Sequence, residues 1–133
     1  MIVLDTHVWL WWLLGSVRLR AKERSALDRL GSRGAVRLAA VSLWEAQMLH
    51  AKGRLTLDRA FDVWIRDAAA VGVVEIVPLD VEVVIALARL PATFHGDPAD
   101  RLIVATARAH RLPLATHDRA VRKSRLVSVW KAP

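Results

Sequence analysis

Apolar residues along the chain fall into short continuous runs, separated by longer segments in which they recur with helical periodicity. The first run leads from Met1 to Leu4 directly into Asp5, with no polar residue between. A continuous apolar run of this kind is typical of a strand buried on both faces, as in a parallel sheet. Similar runs predict further strands at residues 36–41, 73–79, 112–115 and 126–130, with Pro78 restricting the third to an edge or terminal position.

Helical periodicity fills the segments between these runs. Helices are predicted at residues 7–14, 20–30, 43–51, 58–70, 81–89 and 97–109, followed by a short basic helical turn. Strands that alternate with helices favour right-handed βαβ connections and a parallel sheet. We therefore predict an α/β fold with three layers (α/β/α) around a mostly parallel central sheet. The length is that of a single domain spanning residues 1–133.

Several residues are predicted to begin or end these helices. Thr6 is a candidate cap of the first helix, Gly15 is expected to end it, and the glycines of residues 31–34 are expected to break the second. Ser42 and Glu45 have the spacing of a capping box. The caps expected at Asp80, Asp97 and Asp118 complete this set.

The first helix is apolar on all sides over residues 8–14. Trp9, Trp11 and Trp12 cannot all face one core if they lie on a helix. Two interpretations follow: a central helix covered on every side, or a helix that keeps an exposed face for a partner chain.

Composition and charge restrict the possible functions. Cys is absent, which excludes disulfides, thiolate metal sites and Cys nucleophiles and fits a reducing cytoplasm. The longest apolar run has seven residues, too few to span a bilayer, and the start does not resemble a secretory signal. We therefore expect a cytoplasmic protein that does not associate with membranes.

Basic residues outnumber acidic ones by 20 to 13, and the formal net charge is +7. Such a balance attracts polyanions, with nucleic acid first among them, although a solvated surface explains the charge equally well. The basic residues concentrate at residues 18–37 and again at residues 119–125. From the second group, Arg119 and Arg122 are the candidate substrate-binding residues.

Four acids occupy equivalent places relative to the predicted strands: Asp5, Glu45, Asp100 and Asp118. In a parallel sheet all four would lie at the same carboxyl edge, where open α/β sheets bind their ligands. Crowded carboxylates repel one another unless they are protonated or bridged by cations. Oxygen ligands without Cys suit Mg²⁺ or Mn²⁺, and such ions promote the hydrolysis of phosphodiesters.

Each of these acids also has a purely structural explanation. Any one of them can be a helix cap, a capping-box member or a first-turn acid that interacts with the helix dipole. Helix caps are not restricted to one edge of a sheet, so the position of all four acids at the same edge favours a functional site. The five histidines show no ligand spacing, and each is interpreted as a surface or capping residue.

With these residues identified, the sequence resembles the PIN-domain ribonucleases, and especially the VapC-type toxins of toxin–antitoxin operons. The matching stretches are MIVLDTHVWLWW at the start, VSLWEAQMLHAKGRL at residues 41–55, HGDPADRLIVATA at residues 95–107 and LATHD at residues 114–118. Each motif is short, but together they span the chain in the order that the family shows.

The resemblance implies a metal-dependent endoribonuclease whose catalytic and metal-binding acids are Asp5, Glu45, Asp100 and Asp118. It also implies a homodimer and a cognate antitoxin whose tail wraps the toxin. Thr6 and Thr116 match hydroxyl positions near the family's site and are candidates for substrate binding. Asp97 is an additional acid found in one subgroup of the family, and it is a further candidate metal ligand.

Two other classes of function stay open at this stage. A Mg²⁺-dependent phosphoacceptor of receiver type also gathers acids at strand ends, and Asp80 could take the place of its central Asp. It would require a Lys directly after the fourth strand, where the sequence has Thr116-His117-Asp118 instead. A PIN-like module that binds RNA or protein without cleaving it would carry the same acids.

Overall fold

The computed structural model describes residues 1–94 and 96–133 and shows a parallel sheet enclosed by two layers of helices. In this part of the chain the strands are β1 (Ile2–Leu4), β2 (Val36–Ala39), β3 (Glu75–Val77) and β4 (Leu114–Ala115). The helices are α1 (Thr6–Leu14), α2 (Ala21–Ser32), α3 (Ala40–Ala51), α4 (Phe61–Ala68), α5 (Val81–Ala88), α6 (Pro98–His110) and α7 (Arg119–Ser124). The predicted three-layer α/β/α fold is confirmed.

The strands are ordered β3-β2-β1-β4, and each neighbouring pair is parallel. The chain first adds β2 and β3 on one side of β1 and then returns to place β4 on the other side. The direction of strand addition therefore reverses between β1 and β4. Open α/β sheets bind ligands in the crevice beyond the carboxyl ends of the strands at such a switch point.

Strand β1 contributes to both halves of the core because successive residues of a strand point to opposite faces. Ile2 and Leu4 join an apolar cluster with α1, α2, α3 and α4, whereas Val3 joins a second cluster with α5, α6 and α7. All three side chains are at most 3% exposed. The continuous apolar run before Asp5 thus reflects burial on both faces, as predicted.

The three tryptophans of α1 contact different parts of the protein. Trp9 is fully buried, and its indole N–H donates to the carbonyl of Ala68 at 3.1 Å. The half-buried Trp12 donates to Asp28 at 2.8 Å. The half-buried Trp11 meets the His117 ring edge-on at 5.3 Å between centroids. These contacts favour the interpretation of a covered helix over that of an exposed partner-binding face.

The predicted cap of α1 is wrong, whereas the predicted end of α2 is confirmed. Helix α1 begins at Thr6 with Asp5 at the N-cap position, so Thr6 does not cap it. Helix α2 ends at Ser32, within the predicted break at residues 31–34, with Gly31 still helical and Gly34 in the left-handed region at φ 67°. A Cβ atom at Gly31 would lie 3.0 Å from the Trp12 ring, so the glycine allows α2 to approach this indole closely.

The predicted capping box of Ser42 and Glu45 is also wrong. Strand β2 ends at Ala39 and α3 begins at Ala40, which places both residues within the helix. The predicted last strand is reduced to one parallel bridge between Leu114 and Val129. Among the described residues, no helix combines the length and the apolar character needed to cross a bilayer.

Candidate active site

The candidate site lies at the carboxyl ends of β1, β2 and β4, beside the switch point. Asp5 directly follows β1, and Thr116 directly follows β4. The backbone N–H of Asp5 donates to the carbonyl of Ala115 at 2.9 Å, which fixes the two strand ends side by side. Glu45 enters from α3, the helix that follows β2. The parallel sheet therefore brings these positions to one edge, as the sequence pattern predicted.

The Asp5 side chain is directed into the site and not toward its own helix. Although Asp5 occupies the N-cap position of α1, its carboxylate makes no capping bond. Its Oδ2 instead accepts a hydrogen bond from the Thr116 hydroxyl at 2.6 Å, and the residue is only 6% exposed. Burial raises the pKa of Asp5, and the bond from Thr116 opposes that rise in part. Helix capping thus does not explain the position of this acid.

Glu45 is held by a hydroxyl from another helix. Thr6 Oγ1 donates to Glu45 Oε1 at 2.5 Å, and the Ser42 hydroxyl lies 2.8 Å from the same Thr6 oxygen. Burial is the largest cause of the raised pKa of Glu45, the Thr6 bond lowers it, and the charge of Asp5 raises it further.

The direction of this hydrogen-bond chain follows from the number of protons. Thr6 has one hydroxyl proton, and it donates this proton to Glu45. Its oxygen can then only accept from Ser42. Thr6 is fully buried and its proton is used on Glu45, so we assign the residue to the orientation of Glu45 in place of substrate binding. Ser42 was missed as a site residue, although its i, i+3 spacing from Glu45 puts both on one helix face.

Helix α6 supplies the next two acids. Asp97 is the N-cap, with Pro98 at the first helical position, and its Oδ1 accepts from the backbone N–H of Asp100 at 3.1 Å. Asp97 is exposed, whereas Asp100 is partly buried. The prediction that Asp97 caps α6 is confirmed. Asp100 stands at the third helical position, near the positive end of the helix.

The pKa of Asp100 reflects both its burial and the charges of the surrounding acids. It is raised to about 7, first by burial and then by the negative charges of four other acids. Those four are Asp5, Asp97, Asp118 and Glu45. Carboxylates influence one another in this way only when they are close together. The fold therefore brings all four predicted site acids, and Asp97, into one electrostatic cluster.

Asp118 differs from Asp5 and Glu45 because its carboxylate serves as a helix cap. It is the N-cap of α7 and accepts from the backbone N–H of Val121 at 3.0 Å. Its own backbone N–H donates to the Thr116 hydroxyl at 3.0 Å. The Thr116 hydroxyl therefore joins the loop of Asp118 to Asp5. Helix capping thus explains the position of Asp118, yet its negative charge also contributes to the raised pKa values of Asp5 and Asp100.

The donor set fits a hard divalent cation by its chemistry. The cluster consists of carboxylates whose burial and mutual repulsion an adjacent cation would relieve. Across residues 1–94 and 96–133, however, no three His, Asp or Glu side chains stand as a ready-made ligand group. The acids thus form an open cluster, and ion binding would require side-chain adjustment.

The remaining predicted residues lie around this cluster. Arg122 is exposed and lines a groove that also includes Thr116, whereas Arg119 is exposed at the first position of α7 and does not line that groove. Thr116 is 4% exposed and its hydroxyl is bonded to Asp5, which favours an orienting role for it. The loop expected at His95 falls outside the described residues.

The comparison with protein families agrees with this architecture. Residues 2–125 match the PIN domain family. The chain therefore belongs to the PIN-domain family. It is 35% identical to ribonuclease VapC22 of Mycobacterium tuberculosis over 133 residues, which covers 97% of this chain and 98% of the relative.

Solved structures share the fold. VapBC2 from Rickettsia felis, bound to a DNA fragment from its promoter, has a TM-score of 0.73 at 15% identity and covers 98% of both chains. FitAcB from Neisseria gonorrhoeae has a TM-score of 0.71 at 24% identity, covering 99% of this chain and 98% of the other. FitAB bound to an IR36 DNA fragment has a TM-score of 0.70 at 24% identity, with coverage of 98% and 94%.

Proposed function

We propose that the protein is a metal-dependent endoribonuclease that cleaves phosphodiester bonds in RNA. One observation carries the proposal: acids from separate segments share a buried sheet edge, where burial first and the charges of the neighbouring acids next raise the pKa of Asp100 to about 7. This concentration of negative charge is unfavourable alone and becomes favourable around a cation that also binds a phosphate. Membership of the PIN-domain family and the likeness to a relative named as a ribonuclease support it.

In this proposal Asp5, Glu45, Asp100 and Asp118 hold Mg²⁺ or Mn²⁺. A bound divalent ion supplies a water of lowered pKa and neutralises the charge that develops on the phosphate. The chain's own hydroxyl groups orient the acids, because Thr116 holds Asp5 and Thr6 holds Glu45. Asp97 and Asp118 both cap a helix with one oxygen. We assign Asp97 to capping alone because it is exposed, whereas Asp118 is half-buried and linked to Asp5 through the Thr116 hydroxyl.

The test is cleavage of structured and single-stranded RNAs with Mg²⁺, with Mn²⁺ and with EDTA. We expect cleavage only with a divalent ion and products with 5′-phosphate and 3′-hydroxyl ends. Asp100→Asn should abolish cleavage. Asp80→Asn is the control, because it makes the same substitution at an acid that is not among those that shift the pKa of Asp100. Cyclic-phosphate ends, or undiminished cleavage in EDTA, would exclude this mechanism.

The receiver-type alternative conflicts with the sheet. Asp80 follows β3, which is an edge strand separated from β1 by β2. Its carboxylate caps α5 by accepting from the backbone N–H of Val83 at 3.0 Å. It therefore stands apart from the acidic cluster. The same RNA assay tests the other alternative, a PIN-like module that binds RNA without cleaving it. RNA that is bound but stays intact with Mg²⁺ and with Mn²⁺ would favour that alternative.

We also propose that the protein is the toxin of a toxin–antitoxin pair, with a cognate antitoxin and a second copy of the chain as partners in the cytoplasm. Exposed apolar residues on one helix support protein partners: Val81, Val84 and Ile85 of α5 are 71%, 49% and 37% exposed. A group of large apolar side chains on a surface marks an interaction site.

Light scattering after gel filtration tests the second copy. We expect a dimer that Val84→Glu weakens. Val63→Glu is the control because Val63 is 48% exposed but lies on α4. A wild-type protein that stays monomeric at all concentrations would contradict the proposed homodimer.

A further inference from the structure

A basic groove of about 250 Å³ opens beside the acidic cluster and shares Thr116 with it. Four basic residues line this groove: Arg20, Lys22, Arg122 and Lys131. We propose that this groove binds the backbone of the single-stranded RNA segment adjacent to the bond that is cleaved. The inference rests on the proposed function, because it locates part of the substrate of the same site.

The fold assembles the groove from three distant segments. Arg20 and Lys22 flank the start of α2, and Arg122 lies on α7. Lys131 belongs to the C-terminal segment, which is fixed to β4 where the backbone N–H of Trp130 donates to the Leu114 carbonyl at 2.9 Å. The early and late basic clusters of the sequence thus meet on one surface, next to β4 and to Thr116, which directly follows it.

The charge of the groove suits a polyanion. All four of its Arg and Lys residues are exposed. Among the described residues that line it, Glu23 is the one acid, and its Oε2 lies 2.7 Å from His117 Nε2. Its carboxylate is therefore engaged with a neighbouring ring, and the groove keeps an excess of positive charge. Exposed cations that neutralise phosphates bind the nucleic acid backbone without regard to base sequence.

Two further features favour an RNA strand over an acidic peptide. The half-buried indole of Trp130 lines the groove, and bases of single strands stack on aromatic side chains. The groove also adjoins the acids, because Thr116, which lines it, donates its hydroxyl to Asp5. A strand whose phosphate is cleaved among these acids would extend directly into the groove.

The experiment measures binding of fluorescein-labelled oligouridine of about twelve nucleotides by anisotropy, across a salt series in EDTA. Without divalent ions the RNA stays intact, so binding is measured independently of cleavage. Arg20→Ala/Lys22→Ala is compared with Arg29→Ala/Arg33→Ala, which removes two exposed charges from the opposite end of α2. Arg122→Ala/Lys131→Ala probes the other wall of the groove.

We expect each groove pair to flatten the slope of log affinity against log salt by about 1.4, since each lost phosphate contact lowers it by about 0.7. The control pair should leave the slope unchanged. Equal effects of groove and control pairs, or no effect of the groove pairs, would overturn the proposal. It would also be overturned if Arg20→Ala/Lys22→Ala weakened binding of polyglutamate and left RNA binding intact, because the groove would then accept an acidic peptide. Absence of nuclease activity alone would affect only the proposed function.

Discussion

The hydroxyl of Thr6 donates to Glu45 Oε1 across 2.5 Å, and this bond joins the first turn of α1 to α3. Thr116 holds Asp5 in the same manner across 2.6 Å. The two most buried acids of the cluster are thus each oriented by a threonine from another element. Because Thr6 directly follows Asp5, the two hydrogen bonds connect β1, β4 and α3 into one unit.

Loss of the Thr6 hydroxyl should disturb the orientation and the pKa of the Glu45 carboxylate while Glu45 itself stays in place. Thr6→Val keeps the shape of the side chain but leaves Glu45 and Ser42 without a buried partner, at a cost of about 1–3 kcal/mol in stability. The pKa of Glu45 should rise further, since the Thr6 bond lowers it. A carboxylate must be ionised to bind a cation, so the acid limb of the pH–rate profile should move to higher pH. We expect activity to fall about 10–100-fold, as for other groups that orient metal ligands.

Thr6→Ser retains the hydroxyl and should restore both the pH profile and most of the activity. Thr106→Val is the matched control, because Thr106 is also a buried threonine but donates within α6 to the carbonyl of Leu102. A pH profile that Thr6→Val leaves unmoved would show that Thr6 has only a packing role.

The raised pKa of Asp100 should make the metal-free protein less stable as the pH rises. Between the unfolded value near 3.8 and the folded value of about 7, the folded state holds a proton that the unfolded state has lost. The free energy of unfolding must then decrease with pH across this window. Asp100→Asn removes the part of that dependence that comes from Asp100, so its melting temperature in EDTA at pH 8 should exceed that of the wild type by several degrees. A smaller dependence from the raised pKa values of Asp5 and Glu45 should persist in the variant. A wild-type protein equally stable at pH 4.5 and pH 8 would contradict the electrostatic cluster.

A divalent ion should reverse this destabilisation. Mg²⁺ at about one hundred times its dissociation constant stabilises a folded protein by about 2.7 kcal/mol if it binds only that state. We expect thermal melting to shift upward with Mg²⁺ or Mn²⁺ in the wild type and much less in Asp100→Asn. An equal shift in the two proteins would mean that the ion binds elsewhere.

The sequence predicted what depends on local patterns, and it failed where distant packing decides. The run before Asp5 correctly indicated a strand buried on both faces, and the Asp97-Pro98 pair correctly indicated a helix start. The spacing of Ser42 and Glu45 likewise matches a local pattern, the capping box, but that prediction failed. Strand β2 ends at Ala39, before the predicted residue 41, and Thr6 from α1 engages both residues. That contact joins residues 36 and 39 positions apart, so no local pattern could reveal it.

The two arginines predicted to bind substrate should differ in their effect. Arg122 lines the basic groove, whereas Arg119 does not, although both are exposed on α7. Arg122→Ala should reduce the salt dependence of RNA binding by about 0.7 in slope, and Arg119→Ala should change it little. Anisotropy titrations in EDTA at several salt concentrations provide the measurement. Equal changes in slope would place both arginines on the path of the RNA.

The last prediction separates Asp97 from Asp100. The Asp97 carboxylate accepts from the backbone N–H of Asp100 and so caps α6, while the Asp100 side chain belongs to the acidic cluster. Asp97→Asn still caps the helix and should keep substantial activity, whereas Asp97→Ala should lose about 1 kcal/mol of stability. Asp97→Asn also removes a negative charge that raises the pKa of Asp100, so that pKa should fall. Asp100→Asn should be inactive with its fold intact. Turnover and melting temperature measured for the three variants decide the assignment: if Asp97→Asn melts normally and is as inactive as Asp100→Asn, then Asp97 acts within the site itself.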